Sequence, residues 1–156
     1  MKKLGLILLL VVGSIAGCYA QQGRSSVGMK MGYALDHNNI TWGIDYRYNV
    51  WENVRFAPNI TYMFRNDGVS AWYIDFDGHY VVPVSRNFAF YPIGGFSLSI
   101  WDFRGASSNY SRVGVNIGVG CELYATQEIS VGLDMKYNLI HNYDQALAAL
   151  RVAYHF

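Results

Sequence analysis

Asp75, Asp77 and His79 have types and a spacing that could do chemistry. They fall at i, i+2 and i+4, which in an extended strand puts all three on one face. Two carboxylates beside an imidazole can give and take protons, the requirement of general acid–base catalysis. One strand supplies all three, however, and no nucleophile stands at a spacing that would use them. The competing reading makes the carboxylates structural partners of Arg47 and Arg55 on neighbouring strands. A second set is His37 and His141 with Ser107, Ser108 and Ser111, all in or near links between strands. Histidine activating serine is acyl-transfer chemistry, but these residues form no motif, and solvated loop side chains are the favoured reading. The chain has no zinc-ligand spacing, no phosphate-cradling glycine loop and no basic stripe. No metal or cofactor is therefore expected. A net charge of +1 gives no electrostatic reason to expect a nucleic-acid partner.

The elements that must position these residues are strands. The 156 residues are enough for one domain. They are 52% hydrophobic but only 15% charged, with 13 Tyr, 8 Phe, 16 Gly and 3 Pro, a mix that favours strands and turns over helices. In 40–50, Ile40, Trp42, Ile44, Tyr46, Tyr48 and Val50 share one face, while Asp45 and Arg47 lie on the other. Alternation over this length exceeds that of an ordinary soluble strand and fits a tilted membrane strand of ~9–11 residues. The same period of two recurs in 54–64, 72–82, 113–123 and 129–139, and more weakly in 27–35, 88–100 and 146–156. The segment 88–100 is apolar on both faces near its start, so its register is left open. Eight strands result, an even number, as bacterial barrels require.

The side on which the charges fall decides what kind of sheet this is. The apolar face of all eight strands carries no Asp, Glu, Lys or Arg. The opposite face carries Lys30, Asp45, Arg47, Arg55, Asp75, Asp77, His79, Arg112, Glu122, Asp134, Lys136 and Arg151. A soluble sandwich or barrel would turn its apolar face inward. Here that aromatic-rich face would be continuous on the outside, which is tolerable in lipid. Backbone groups in lipid must all be paired, so the sheet has to close. The expected architecture is all-β: a closed eight-stranded antiparallel up-and-down transmembrane barrel. Its interior is just wide enough for side chains to fill. Charges of both signs facing inward make a salt-bridged plug the leading expectation, with a narrow conducting path as the alternative. Two aromatic girdles are expected at the lipid–water interfaces. Tyr48, Trp51, Phe88, Phe90, Tyr124, Tyr154 and Phe156 would form one, and Tyr33, Tyr62, Phe64, Trp72, Trp101 and Tyr110 the other. Pro58, Pro83 and Pro92 lie near the short links and are expected to mark bulges. Gly114, Gly118 and Gly120 alternate inward on one strand and read as room for bulky neighbours.

Residues 1–20 read as an export signal and 21–156 as the barrel domain. Lys2 and Lys3 precede an apolar run, 4–16, that is short for a membrane span, and cleavage after Ala20 fits the small-x-small pattern. Ile15-Ala16-Gly17-Cys18 also resembles a lipobox, which would acylate Cys18 instead. With Cys18 removed, Cys121 stands alone and no intramolecular disulfide forms.

At this point the chain resembles the small outer-membrane β-barrel proteins of the OmpA/OmpX-like type, over its whole mature length. The most specific element is Leu150-x-Val152-x-Tyr154-x-Phe156, which looks like the signal read by the barrel-insertion machinery. The resemblance implies integral residence in the outer membrane of a Gram-negative cell as a monomer, in contact with membrane lipid and lipopolysaccharide. The chain departs from the type in its short exterior loops and in lacking a peptidoglycan-binding domain, which argues against adhesion and cell-wall anchoring. The role so implied is structural or interaction-based, serving membrane integrity, rather than enzymatic. A porin-like pore is the main alternative. A lipid A-modifying enzyme using His37 or His141 and a lipoprotein with a soluble β-domain come after it.

Overall fold

The computed structural model describes residues 23–105, 107–142 and 144–156. The export-signal and Cys18 readings lie outside the described residues. The described residues contain no helix; they form β1 (Ser25–Ala34), β2 (Asn39–Asn49), β3 (Val54–Asn66), β4 (Val69–Tyr80), β5 (Val82–Pro83), β6 (Phe88–Phe103), β7 (Tyr110–Tyr124), β8 (Ile129–Leu139) and β9 (Gln145–His155). β5 continues β4. His79 faces Ile93 and Val82 faces Phe90, so both segments meet β6 in one register. The ladder breaks only opposite Pro92 and Tyr91, because proline brings no N–H. The result is eight staves in a closed, wholly antiparallel barrel, with β1 pairing both β2 and β9.

The registers fix the stagger of the barrel. From Gly120 the pairing runs through Asp134, Ala149, Gly32, Thr41, Met63, Ala71 and Trp101 to Tyr110. One circuit therefore returns to β7 ten residues away, between Gly120 and Tyr110. That offset is the barrel's shear, which together with eight staves sets its tilt and width.

Alternation assigns the faces as the sequence implies. Ile44, Phe76, Ile117, Leu133 and Val152 are exposed, while Asp45, Asp75, Asn116, Asp134 and Arg151 are buried. The open register of β6 resolves with Phe90, Pro92 and Phe96 outward and Tyr91, Ile93 and Ser97 inward. Asp102 is an outward charge, at the end of β6 beyond the apolar band, where it pairs with Arg65.

Several expectations are corrected. The prolines do not make bulges: Pro58 pairs with Phe76 on one side and interrupts the β2–β3 ladder on the other without shifting its register. The register irregularity lies instead between Met63 and Asn66. The link near 65–70 is a tight turn. Asp67 and Gly68, at φ 49° and 84°, make a two-residue turn between the paired Asn66 and Val69, as tight hairpins demand. Trp101 and Tyr124 are not girdle residues. Trp101 is fully buried inside the barrel, and the Tyr124 hydroxyl points inward to Arg55 and Glu122.

Candidate functional site

The barrel interior holds the charged side chains and is built in layers. Near the turns joining β1–β2, β3–β4, β6–β7 and β8–β9 (the loop end), Ala34, Met63, Ala71, Tyr73, Trp101, Ile140 and Leu147 form an apolar cluster across the lumen. Trp101 is its centrepiece, edge-on to Tyr73 at 5.8 Å between centroids. The Trp101 indole N–H donates to Ser99 Oγ at 3.0 Å, so the ring buries no unpaired donor. This septum escaped sequence reading, because aromatics close to strand ends look alike whether they face lipid or the lumen.

Below the septum lies the ion-pair layer. Five cations (Lys30, Arg47, Arg55, Lys136, Arg151) and five carboxylates (Asp45, Asp75, Asp77, Glu122, Asp134) are buried there. Arg47 donates from Nε to Asp45 at 2.8 Å, from Nη1 to the Tyr91 hydroxyl at 2.8 Å and from Nη2 to Asp134 at 2.7 Å. Arg151 bridges Asp45 at 2.8 Å and Glu122 at 3.0 Å. Arg55 reaches Glu122 at 2.8 Å, and Lys30 lies 3.2 Å from Asp134. A buried charge is tolerable only when paired and further hydrogen-bonded. Here neutral donors complete the shells: Tyr91 donates to Asp134 and Ser130 to Glu122. Tyr91 links Arg47 to Asp134, and both Arg47 and Arg55 lie against its ring, at 5.1 and 5.6 Å. Tyr91 was missed in the sequence because 88–100 gave no clear inner face. Gly120 makes room for it, since a Cβ there would run into the Tyr91 ring.

The Asp75–Asp77–His79 row separates into different environments. Asp75 and Asp77 both pair with Lys136, at 2.8 Å for Asp77, rather than with Arg47 and Arg55. Asn59 and Asn116 donate to Asp77, and Ser97 to Asp75. His79 stacks on Tyr91 at 4.8 Å. The partners changed because the stagger brings β8 opposite β4. Arg112 departs from the inward set: it stands on the inward parity of β7 but near the loop end, where it is exposed. Leu150, Val152, Tyr154 and Phe156 form an exposed outward row.

The serine and histidine candidates are not wired for acyl transfer. His37 Nδ1 bonds Gln145 Oε1 at 2.6 Å, and its ring lies 5.4 Å from Trp101. His141, Ser107, Ser108 and Ser111 are exposed. A different trio does meet inside: Ser130 Oγ lies 2.7 Å from His155 Nε2 and 2.6 Å from Glu122 Oε1. Glu122 approaches the same Nε2, at 3.4 Å. A nucleophile relay needs the carboxylate on the other ring nitrogen, so this trio serves the buried network. Among the described residues no group of three or more His, Cys, Asp or Glu could hold a metal ion. At the opposite mouth, the end where Gly23 meets Asn49 and Ser25 meets Phe156, a cavity of about 350 Å³ reaches down to Arg55 and Tyr124.

Comparisons with known proteins agree with this architecture. The N-terminal β-barrel domain of Pseudomonas aeruginosa OprF superposes with a TM-score of 0.75 at 16% identity, covering 86% of this chain and 98% of that one. Ail, the attachment invasion locus protein of Yersinia pestis, gives 0.62 at 15% identity, covering 87% and 100%. The outer membrane enzyme PagL gives 0.51 at 10% identity, covering 84% and 98%. At these identities the likeness is one of fold. No curated protein sequence matches the chain. Residues 6–156 match the family model described as the outer membrane protein beta-barrel domain. The chain belongs to that family, and with it to the integral β-barrels of the outer membrane.

Proposed function

We propose that the protein is a closed, non-conducting scaffold of the outer membrane, with a structural or surface-interaction role and no catalytic one. The observation that carries this reading is the filled lumen: an apolar septum stacked on a charge-balanced ion-pair layer. An ion crossing such a barrel would have to displace Trp101 and then part several buried pairs at once, leaving buried charges uncompensated. The lumenal set from Lys30 to Arg151 thereby stiffens the wall, and the outward apolar band anchors it in lipid and lipopolysaccharide.

The reading extends to orientation and assembly. The loop end faces the cell exterior and the mouth beside Phe156 faces the periplasm. The exposed row Leu150, Val152, Tyr154 and Phe156 is the surface that the insertion machinery reads, and the barrel works as a monomer.

Conductance in planar bilayers tests the proposal. The wild-type protein is expected to give no discrete channel events, and Trp101→Ala with Met63→Ala is expected to raise leak. Steady wild-type channels would overturn the scaffold reading in favour of a pore. The lipid A-modifying alternative is tested by the mass of lipid A after overexpression. No shift is expected, and a shift lost in His37→Ala or His141→Ala would install an enzyme instead.

A further inference from the structure

We propose that the mouth cavity beside Phe156 is a binding site for a small oxyanion, a phosphate or carboxylate on a short apolar stem. Three of its four charged lining residues are arginines, Arg24, Arg55 and Arg86, set against one carboxylate, Glu52. Arg55 is committed at the floor: its guanidinium bonds Asn49, Glu122 and Tyr124. Arg24 and Arg86 stand higher. Arg24 hydrogen-bonds the carbonyl of Gln127 at the β7–β8 turn, which holds its charge at the rim. Among the described residues Arg86 forms no ion pair, and it projects from the exposed β5–β6 turn beside Ser85 and Asn87.

The upper cavity therefore presents two guanidinium groups and short polar side chains against a single carboxylate. Guanidinium matches the flat, two-oxygen edge of phosphate and carboxylate. Val81, Pro83 and Ala89 make the wall between rim and floor apolar, which leaves space for a stem of a few carbons. The volume of about 350 Å³ is at the small end of the range for ligand sites. Because the lining lies inside the mouth rather than on the lipid-facing girdle, a soluble ligand is favoured over a lipid headgroup.

The experiment is solution NMR of the full barrel in phosphatidylcholine nanodiscs, which leave both ends open to solvent. Inorganic phosphate and propionate are the probes. Saturable shifts are expected in the amides of 85–87 and 126–127, with propionate also moving 81 and 89. Arg24→Gln with Arg86→Gln is expected to weaken binding about tenfold or more, the loss of at least one charge-assisted contact. Both side chains lie at the rim, and retention of the folded-barrel gel mobility confirms that the variant still closes. Arg112→Gln, at the opposite end, is expected to leave affinity unchanged. Shifts obtained only when phosphatidylglycerol replaces phosphatidylcholine would support the oxyanion site with a lipid headgroup as its source. Unsaturating shifts, equal binding by the double variant, or an equal loss in Arg112→Gln would overturn it.

Discussion

Tyr91 concentrates more of the interior's bonding than its single hydroxyl implies. It donates to Asp134, accepts from Arg47 and backs two guanidinium groups with its ring. Tyr91→Phe keeps the ring and loses the bridge, so a cost of about 1.5–3 kcal/mol is expected, the value of hydrogen bonds to charged partners. Urea titration in lipid vesicles, read by tryptophan fluorescence, measures it. Glu122 is the more exposed weakness of the network, because Arg55 and Arg151 both lean on it. Glu122→Ala leaves Arg55 without an ion-pair partner and Arg151 with Asp45 alone, and is expected to cost about 3–5 kcal/mol. Gly120→Ala tests packing alone. The added methyl meets the Tyr91 ring and Asp134 Oδ1, and overpacking of this kind costs about 1–3 kcal/mol. The same titration ranks all three.

At the scale of the strand, the faces were legible wherever one face was polar. β2 and β8 alternate without exception, and the structure follows them residue by residue. β6 was not legible, because Ala89, Tyr91 and Ile93 fill the lumen beside Phe90 and Pro92 on the lipid face. Which charges meet was also hidden. Asp75 and Asp77 find Lys136 rather than an arginine because the ten-residue stagger decides who stands opposite whom, and no single strand encodes that offset. Arg at the mid-strand, lipid-facing Ile117 or Leu133 is expected to cost about 2–4 kcal/mol in a bilayer. Polarity of the inner face alone would make Asn116→Arg mild. Asn116 is fully buried against Asp77, however, so the packed lumen leaves the longer side chain no place. The informative contrast is Asn116→Ser, which keeps a donor in a smaller volume and is expected to cost less than either arginine. Equal stability of the Ile117 and Leu133 variants with wild type would remove the lipid-facing assignment.

The whole molecule behaves as a closed wall with no spare edge, since β1 and β9 pair along nine residues from Ser26 to Ala34. A closed barrel resists detergent, so the unheated protein is expected to migrate differently from the boiled protein on SDS gels. Identical mobility would mean that the sheet does not stay shut. The oxyanion cavity and the septum occupy opposite ends of this wall, so loss of one is expected to leave the other's readout intact.

The pairing of charges across the seam bears on how the barrel can be assembled. Strands β1–β4 supply Lys30, Asp45, Arg47, Arg55, Asp75 and Asp77, and strands β6–β9 supply Glu122, Asp134, Lys136 and Arg151. Most of the ion pairs join one half to the other: Lys30 and Arg47 with Asp134, Arg55 with Glu122, Lys136 with Asp75 and Asp77, Arg151 with Asp45. Each half is balanced in number, but as an open sheet it leaves Arg55, Asp75, Asp77, Asp134 and Lys136 without the ion-pair partners they have in the closed barrel, and hydrocarbon offers no substitutes. A half-inserted intermediate would carry bare charge into lipid. Sealing the seam and completing these pairs are thus one event.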